Sequence, residues 1–146
     1  MLNTISLDKK YIIQIFNKIV TRSNSLLIKE LEKNNIKGLV SSHCDVLIQL
    51  FLNNKLSMQD LSRKIHKKNN TMTVLVNKLI SLGYVIKTQD EEDRRINFVT
   101  LTEKGQKLEY LFDEIANKMV ARTYNNISDD EIDELLKTLS KIEKNI

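Results

Sequence analysis

The run Asn69-Asn70-Thr71-Met72-Thr73-Val74-Leu75-Val76-Asn77-Lys78-Leu79-Ile80-Ser81-Leu82-Gly83-Tyr84-Val85-Ile86 decides the fold. Met72, Leu75, Val76, Leu79 and Leu82 recur at three- and four-residue spacing, which predicts a helix over 70–82. Gly83 stands where a helix C-terminus wants a left-handed residue. Beyond it the period changes. Val85-Ile86-Lys87-Thr88 and Arg95–Leu101 are short and rich in β-branched residues, and the polar, acidic Gln89–Asp93 divides them. That pattern reads as a β-hairpin, although the alternation leaves open which strand face turns inward. On the upstream side, Ser57-Met58-Gln59-Asp60 is a Ser-x-x-Asp helix start followed by Leu61 and Ile65. The polar link His66-Lys67-Lys68-Asn69-Asn70 joins this short helix to the next.

Helical patterns continue on both sides. Leu7, Tyr11, Ile15 and Ile19, with Ile12, Phe16, Val20, Leu27 and Leu31 beside them, predict one long helix over 7–33, ended by Asn34-Asn35 and Gly38. Its apolar surface is wide enough to expect burial against another chain. Ser42, with Asp45 as capping-box partner, opens a helix whose core stripe is Val46, Leu47, Leu50 and Phe51. Thr102 caps a long helix carrying Leu108, Leu111, Phe112, Ile115 and Met119. Ser128-Asp129-Asp130-Glu131 starts a last one with Ile132, Leu135, Leu136, Leu139 and Ile142. With no proline and three glycines, the expected fold is mainly α with a small β-hairpin.

Composition narrows the function. The 146 residues fit one domain. No apolar run approaches the ~20 residues of a membrane span, and the N-terminus shows no secretory pattern. One cysteine, Cys44, cannot form an intramolecular disulfide, which fits a cytoplasmic setting. The net charge is +4, and residues 55–95 hold nine Lys or Arg against five acids, while the remainder balances. The surplus positive charge is therefore confined to one third of the chain. A solvated face is the ordinary meaning of a charge cluster; a surplus so confined also matches an electrostatic footprint for phosphate.

Two short helices followed by a hairpin, over residues 55–101, form a winged helix-turn-helix. The second helix fits a major groove, where base edges are distinguishable, and the hairpin reaches the neighbouring minor groove. On helix 70–82 the core positions leave Asn70, Thr71, Thr73, Val74, Asn77 and Lys78 on other faces. Amides and hydroxyls suit base edges, and Val74 suits a thymine methyl. Taken singly, Asn69 or Asn70 serves as well as an N-cap, and Thr71 and Thr73 as plain surface residues. Lys67, Lys68 and Lys78 are candidate phosphate contacts.

From Leu56 to Gly105 the chain resembles the MarR family of transcriptional regulators. Asn70–Leu79 is similar to the family's recognition helix, and Leu82-Gly83-Tyr84-Val85 follows in register. The most specific part is Asp90-Glu91-Glu92-Asp93-Arg94-Arg95 followed by Val99-Thr100-Leu101-Thr102-Glu103-Lys104-Gly105. The resemblance departs at Asn70, where Ser is usual, and at Val74, where Arg is common. It implies a homodimer with interlaced terminal helices on a palindromic double-stranded operator. Residues 39–101 would then form the DNA-binding lobe, and 1–38 and 102–146 the dimerisation helices. It further implies that Asp93 orients an arginine and that Arg94 or Arg95 enters the minor groove. The physics agrees, because a carboxylate fixes a guanidinium fork and narrow A·T-rich minor grooves attract arginine; a weak surface ion pair is the bland alternative.

Other signals are thinner. His43 and Cys44 are adjacent, so on a helix they point about 100° apart and make no nucleophile–base pair. Cys44 reads as a small buried hydrophobe, with a redox-sensing regulator as the alternative. One Cys and two His are a poor zinc set, and no cofactor or metal is expected. The family often senses a small aromatic or anionic effector in a cleft, which His43 could face; exposure or capping suits His43 equally. No phosphate loop, catalytic carboxylate pair or triad is visible, so an enzyme is not expected. A winged-helix protein–protein module is the runner-up.

Overall fold

The computed structural model describes residues 11–146; Leu7, assigned to the first helix from sequence, lies outside them. The elements run α1 Ile12–Lys33, α2 Ser41–Asn53, β1 Lys55–Ser57, α3 Met58–Lys64, α4 Asn69–Ser81, β2 Val85–Gln89, β3 Asn97–Leu101, α5 Glu103–Gln106, α6 Leu108–Thr123 and α7 Asp129–Lys144. The mainly helical chain with a hairpin wing is as expected, and α4 sits one residue earlier than its apolar pattern suggested.

The sheet has a strand that periodicity did not reveal. β1 pairs antiparallel with β3, giving the order β1-β3-β2, with Leu56 opposite Val99 and Val99 opposite Lys87. Three residues are too few to carry a period-2 signal. The pairing settles the inward face of the hairpin. Val85, Val99 and Leu56 are buried on it, and Lys87 on the same face lies far enough along the wing to reach solvent. β3 begins at Asn97 rather than Arg95, because the backbone before it is spent on the tip: the Asp90 N–H donates to the Ile96 carbonyl and the Ile96 N–H to the Asp93 carbonyl.

Helix starts follow side-chain acceptors. Ser57 Oγ accepts from the Asp60 N–H at 3.0 Å, and Ser128 with Glu131 forms the expected capping box. The start of α2 differs from expectation. The helix opens at Ser41, and the Val40 N–H donates to His43 Nδ1 at 3.0 Å, so an imidazole replaces the Ser42–Asp45 box. Valine has no acceptor of its own, and the third helical residue supplies one.

The long helix expected after Thr102 is broken. Thr102 Oγ1 accepts from the Gly105 N–H at 3.1 Å and caps only the single-turn α5; α6 then starts at Leu108. Gly105 is the reason. A Cβ there would lie 2.1 Å from the Tyr84 carbonyl oxygen, so the first turn hugs the backbone leaving α4 and the next helix must turn away.

The core joins Leu31 of α1, Cys44, Leu47 and Leu50 of α2, and Leu61 of α3 to Met72, Val76 and Leu79 of α4 and Ile115 of α6. Phe51 and Phe112 meet edge to face at 5.3 Å. Leu31 is the buried residue of α1, and α7 has none.

Candidate nucleic-acid interface

The apolar stripe of α4 decides what the helix shows to solvent. Met72, Leu75, Val76 and Leu79 are buried, which turns Asn70, Thr71, Thr73, Val74, Asn77 and Lys78 outward together. All six sequence candidates on the helix are exposed. They differ in what they can offer. Thr73 Oγ1 donates to the Asn69 carbonyl at 3.0 Å, so its proton is committed and it can meet a base edge as an acceptor only. Asn69 and Asn70 lie in the first turn, and the N-cap is Lys68, without a side-chain cap. The helix N-terminus is thus uncapped by the protein, with Lys67 and Lys68 exposed beside it, an arrangement that favours a phosphate.

The wing tip is ordered by its own carboxylates. Asp90 Oδ1 accepts from the N–H groups of Glu92, at 3.0 Å, and Asp93, at 2.8 Å. Asp93 in turn grips Arg95: Oδ1 accepts from its backbone N–H and from Nε, both at 3.0 Å, and Oδ2 accepts from a terminal guanidinium nitrogen at 2.9 Å. The side-chain fork to Arg95 holds the Asp93 carboxyl below its usual range, helped by the backbone bond. This decides between the paired arginines. Arg95 is the oriented one, while Arg94 contributes its carbonyl to the Gln89 side-chain amide and points its own side chain into solvent.

A cleft of about 580 Å³ separates the recognition helix from the wing, with Asn69 and Thr73 on one wall and Lys87 and Arg95 on the other. Lys87 was not among the sequence candidates. Its signal was strand parity with Val85, which periodicity alone could not turn into a face.

The angle between helix and wing is stapled from behind. Lys104 Nζ donates to the Leu82 carbonyl at 2.8 Å, Thr102 Oγ1 to the Gly83 carbonyl at 2.6 Å, and the Thr102 N–H to the Tyr84 carbonyl at 3.0 Å. Lys104 also lies 4.7 Å above the Tyr84 ring. Three successive carbonyls at the exit of α4 are therefore satisfied by the Leu-Thr-x-x-Gly segment, with Gly83 at φ +78° making the turn.

The remaining candidates separate. Burial pushes the Cys44 thiol up to about 12, so it is not a thiolate near neutral pH, the reverse of what a sensor needs. His43 is buried as the α2 cap, and burial, then the Lys78 charge, hold it below its ordinary value. It lines neither of the two clefts between the long helices. One, of about 440 Å³, is apolar, with Leu27, Phe51, Phe112 and Met119 in its walls. The other, of about 710 Å³, carries Arg22, Lys29, Lys33 and Arg122, with Glu30 held low by its bond to Lys33. Among the described residues no group of three or more His, Cys, Asp or Glu could hold a metal, and no helix is long and apolar enough to cross a membrane.

With this geometry in hand, comparison places the chain among known proteins. The model of the MarR family matches residues 39–96. The transcriptional regulator SarZ of Staphylococcus epidermidis is 28% identical over 102 residues, spanning 70% of this chain and 68% of that protein. A MarR transcriptional regulator from Methanosarcina mazei is 26% identical, superposes with a TM-score of 0.82 and covers 93% of this chain and 96% of its own. MepR of Staphylococcus aureus, solved as a DNA complex, superposes at 0.84 with 19% identity over 92% of this chain and 98% of its own, a likeness of fold.

Proposed function

We propose that the chain is a MarR-type DNA-binding transcriptional regulator rather than an enzyme, and that it acts as a homodimeric repressor on a palindromic operator. Each subunit lays α4 in a major groove and extends the wing to the adjacent minor groove. The half-site centres then lie about one helical turn apart. The observation that carries this reading is Arg95, held in a fork by Asp93, sharing one cleft with Asn69 and Thr73 at the start of α4. Asn70, Thr71, Thr73, Val74, Asn77 and Lys78 face the bases. Lys67, Lys68 and the uncapped α4 N-terminus take phosphate, and Arg95 enters the minor groove. Arg94, lacking the fork, serves as a phosphate contact.

Residues 39–101 act as the DNA-binding lobe, and 1–38 and 102–146 as dimerisation segments. Support for the dimer comes from α7, none of whose residues is fully buried in its own subunit, and from the exposed Ile15, Ile19 and Val20 of α1. The 440 Å³ apolar cleft suits a small aromatic effector, which would act by shifting the separation of the two lobes. A protein bound to DNA in this way works in the cytoplasm. Footprinting on the DNA upstream of its own gene, with and without phenolic ligands, tests the reading. Two protected major-groove segments one turn apart are expected, and absence of protection there overturns it.

A further inference from the structure

Val74 is 68% exposed at the centre of the recognition face, with Asn70 and Thr71 one turn before it and Asn77 and Lys78 one turn after, all exposed. Its neighbours Leu75 and Val76 are buried in the core, whereas Val74 is not part of it. A lone exposed valine is unremarkable on most surfaces. Here its position gives it meaning, because whatever α4 reads must pass directly over this side chain.

We propose that Val74 is a specificity-determining residue that packs on the 5-methyl group of a thymine, so that each half-site carries a T·A pair beneath the middle of α4. This rests on the DNA-binding reading above and deepens it. In the major groove thymine alone presents a methyl group; the other edges there are donors and acceptors, which an isopropyl group would desolvate without replacing their hydrogen bonds. A β-branched side chain on a helix is held in one χ1 rotamer, so Val74 offers a fixed apolar knob at little further entropic cost. The adjacent polar groups leave it this role. Thr73 has its proton committed to Asn69, whereas among the described residues no side-chain hydrogen bond engages the amides of Asn70 and Asn77, which suit adenine. The knob and the amides together favour A·T pairs, as does Arg95 in the minor groove.

The test begins with the preferred operator, selected from random DNA by the full-length protein. Each thymine of a half-site is then replaced by deoxyuridine, which removes the methyl and nothing else. One position per half-site is expected to lose about fourfold in affinity, the value of one buried methyl-sized group. The Val74→Ala protein, whose exposed site leaves folding intact, should bind the thymine operator about 16-fold more weakly, about fourfold for each half-site, and be indifferent to that replacement. If no thymine is sensitive, or if the sensitive one stays equally sensitive in Val74→Ala, the assignment is wrong. Failure to select any sequence would instead overturn the DNA-binding reading itself.

Discussion

The lobe from α2 to β3 and the helices that flank it obey different rules. In the lobe, every element puts side chains into a common core, its helix starts hold Ser57 and His43 as acceptors, and its turn at Gly83 is stapled by Thr102 and Lys104. α7 is as long as α6 and carries a full capping box, yet Leu135 and Leu136 stay exposed and no residue is buried. α1 buries Leu31 near its end and leaves Ile13, Ile19 and Val20 in the open. Apolar stripes of this length are stable only when covered. The lobe completes its core with Leu31 of α1 and Leu108, Phe112 and Ile115 of α6, whereas the apolar stripes of α1 and α7 lie largely in the open.

The sharpest way to break that contrast is to charge the α7 stripe. Leu135→Glu with Leu136→Glu should leave helix content and lobe unfolding almost unchanged, since neither side chain is buried. The same pair should produce monomers by light scattering. With only one half-site engaged at a time, operator affinity should fall by about 10²–10⁴. Unchanged mass would mean that the stripe takes no part in the proposed dimer.

Within the lobe the staple is the most sensitive point. Gly105→Ala forces a methyl group onto the Tyr84 carbonyl, and a loss of about 2–3 kcal/mol in urea unfolding is expected. Ser57→Ala removes the α3 cap and should cost about 1 kcal/mol. Equal changes made at α7, such as Ser128→Ala, should show mainly in assembly rather than in lobe stability.

The smallest effect is a pH dependence. His43 must be neutral to accept from the Val40 N–H, and its folded value lies below the ordinary 6.5. The unfolded chain therefore binds more protons there. The contribution is fully present above about pH 6.5 and is lost as the pH falls through the lower folded value. Urea melts of the native protein should weaken over that acid range, and His43→Ala should flatten this part of the profile; an unaltered slope would remove His43 as its cause.

Much of the lobe was legible in its residues. The stripe Met72–Leu82, Gly83 and the β-branched runs gave helix, turn and hairpin, and the capping signals at Ser57, Thr102 and Ser128 were each realised. What was not legible depended on contacts distant in sequence. β1 exists through its pairing with β3, and the break after Gln106 through the approach of Gly105 to Tyr84, 21 positions back. At α2 the Ser42–Asp45 box is not formed, while the capping role left open for His43 is realised, held in place by the neighbouring core. At the interface, helical periodicity gave the outward set on α4 directly. The choice between Arg94 and Arg95 needed the two-residue reach of Asp93 across the wing turn, and Lys87 needed the strand register.

DNA binding by α4 and the wing is tested most directly by operator affinity measured against salt concentration, for the native protein and for Arg95→Ala. Counterion release predicts a steep linear fall of log affinity with log salt, with Arg95→Ala about 5- to 150-fold weaker for each half-site and the dimer's slope shallower by about two, one for each subunit. A flat salt response, or an Arg95→Ala protein indistinguishable from the native one, would contradict it.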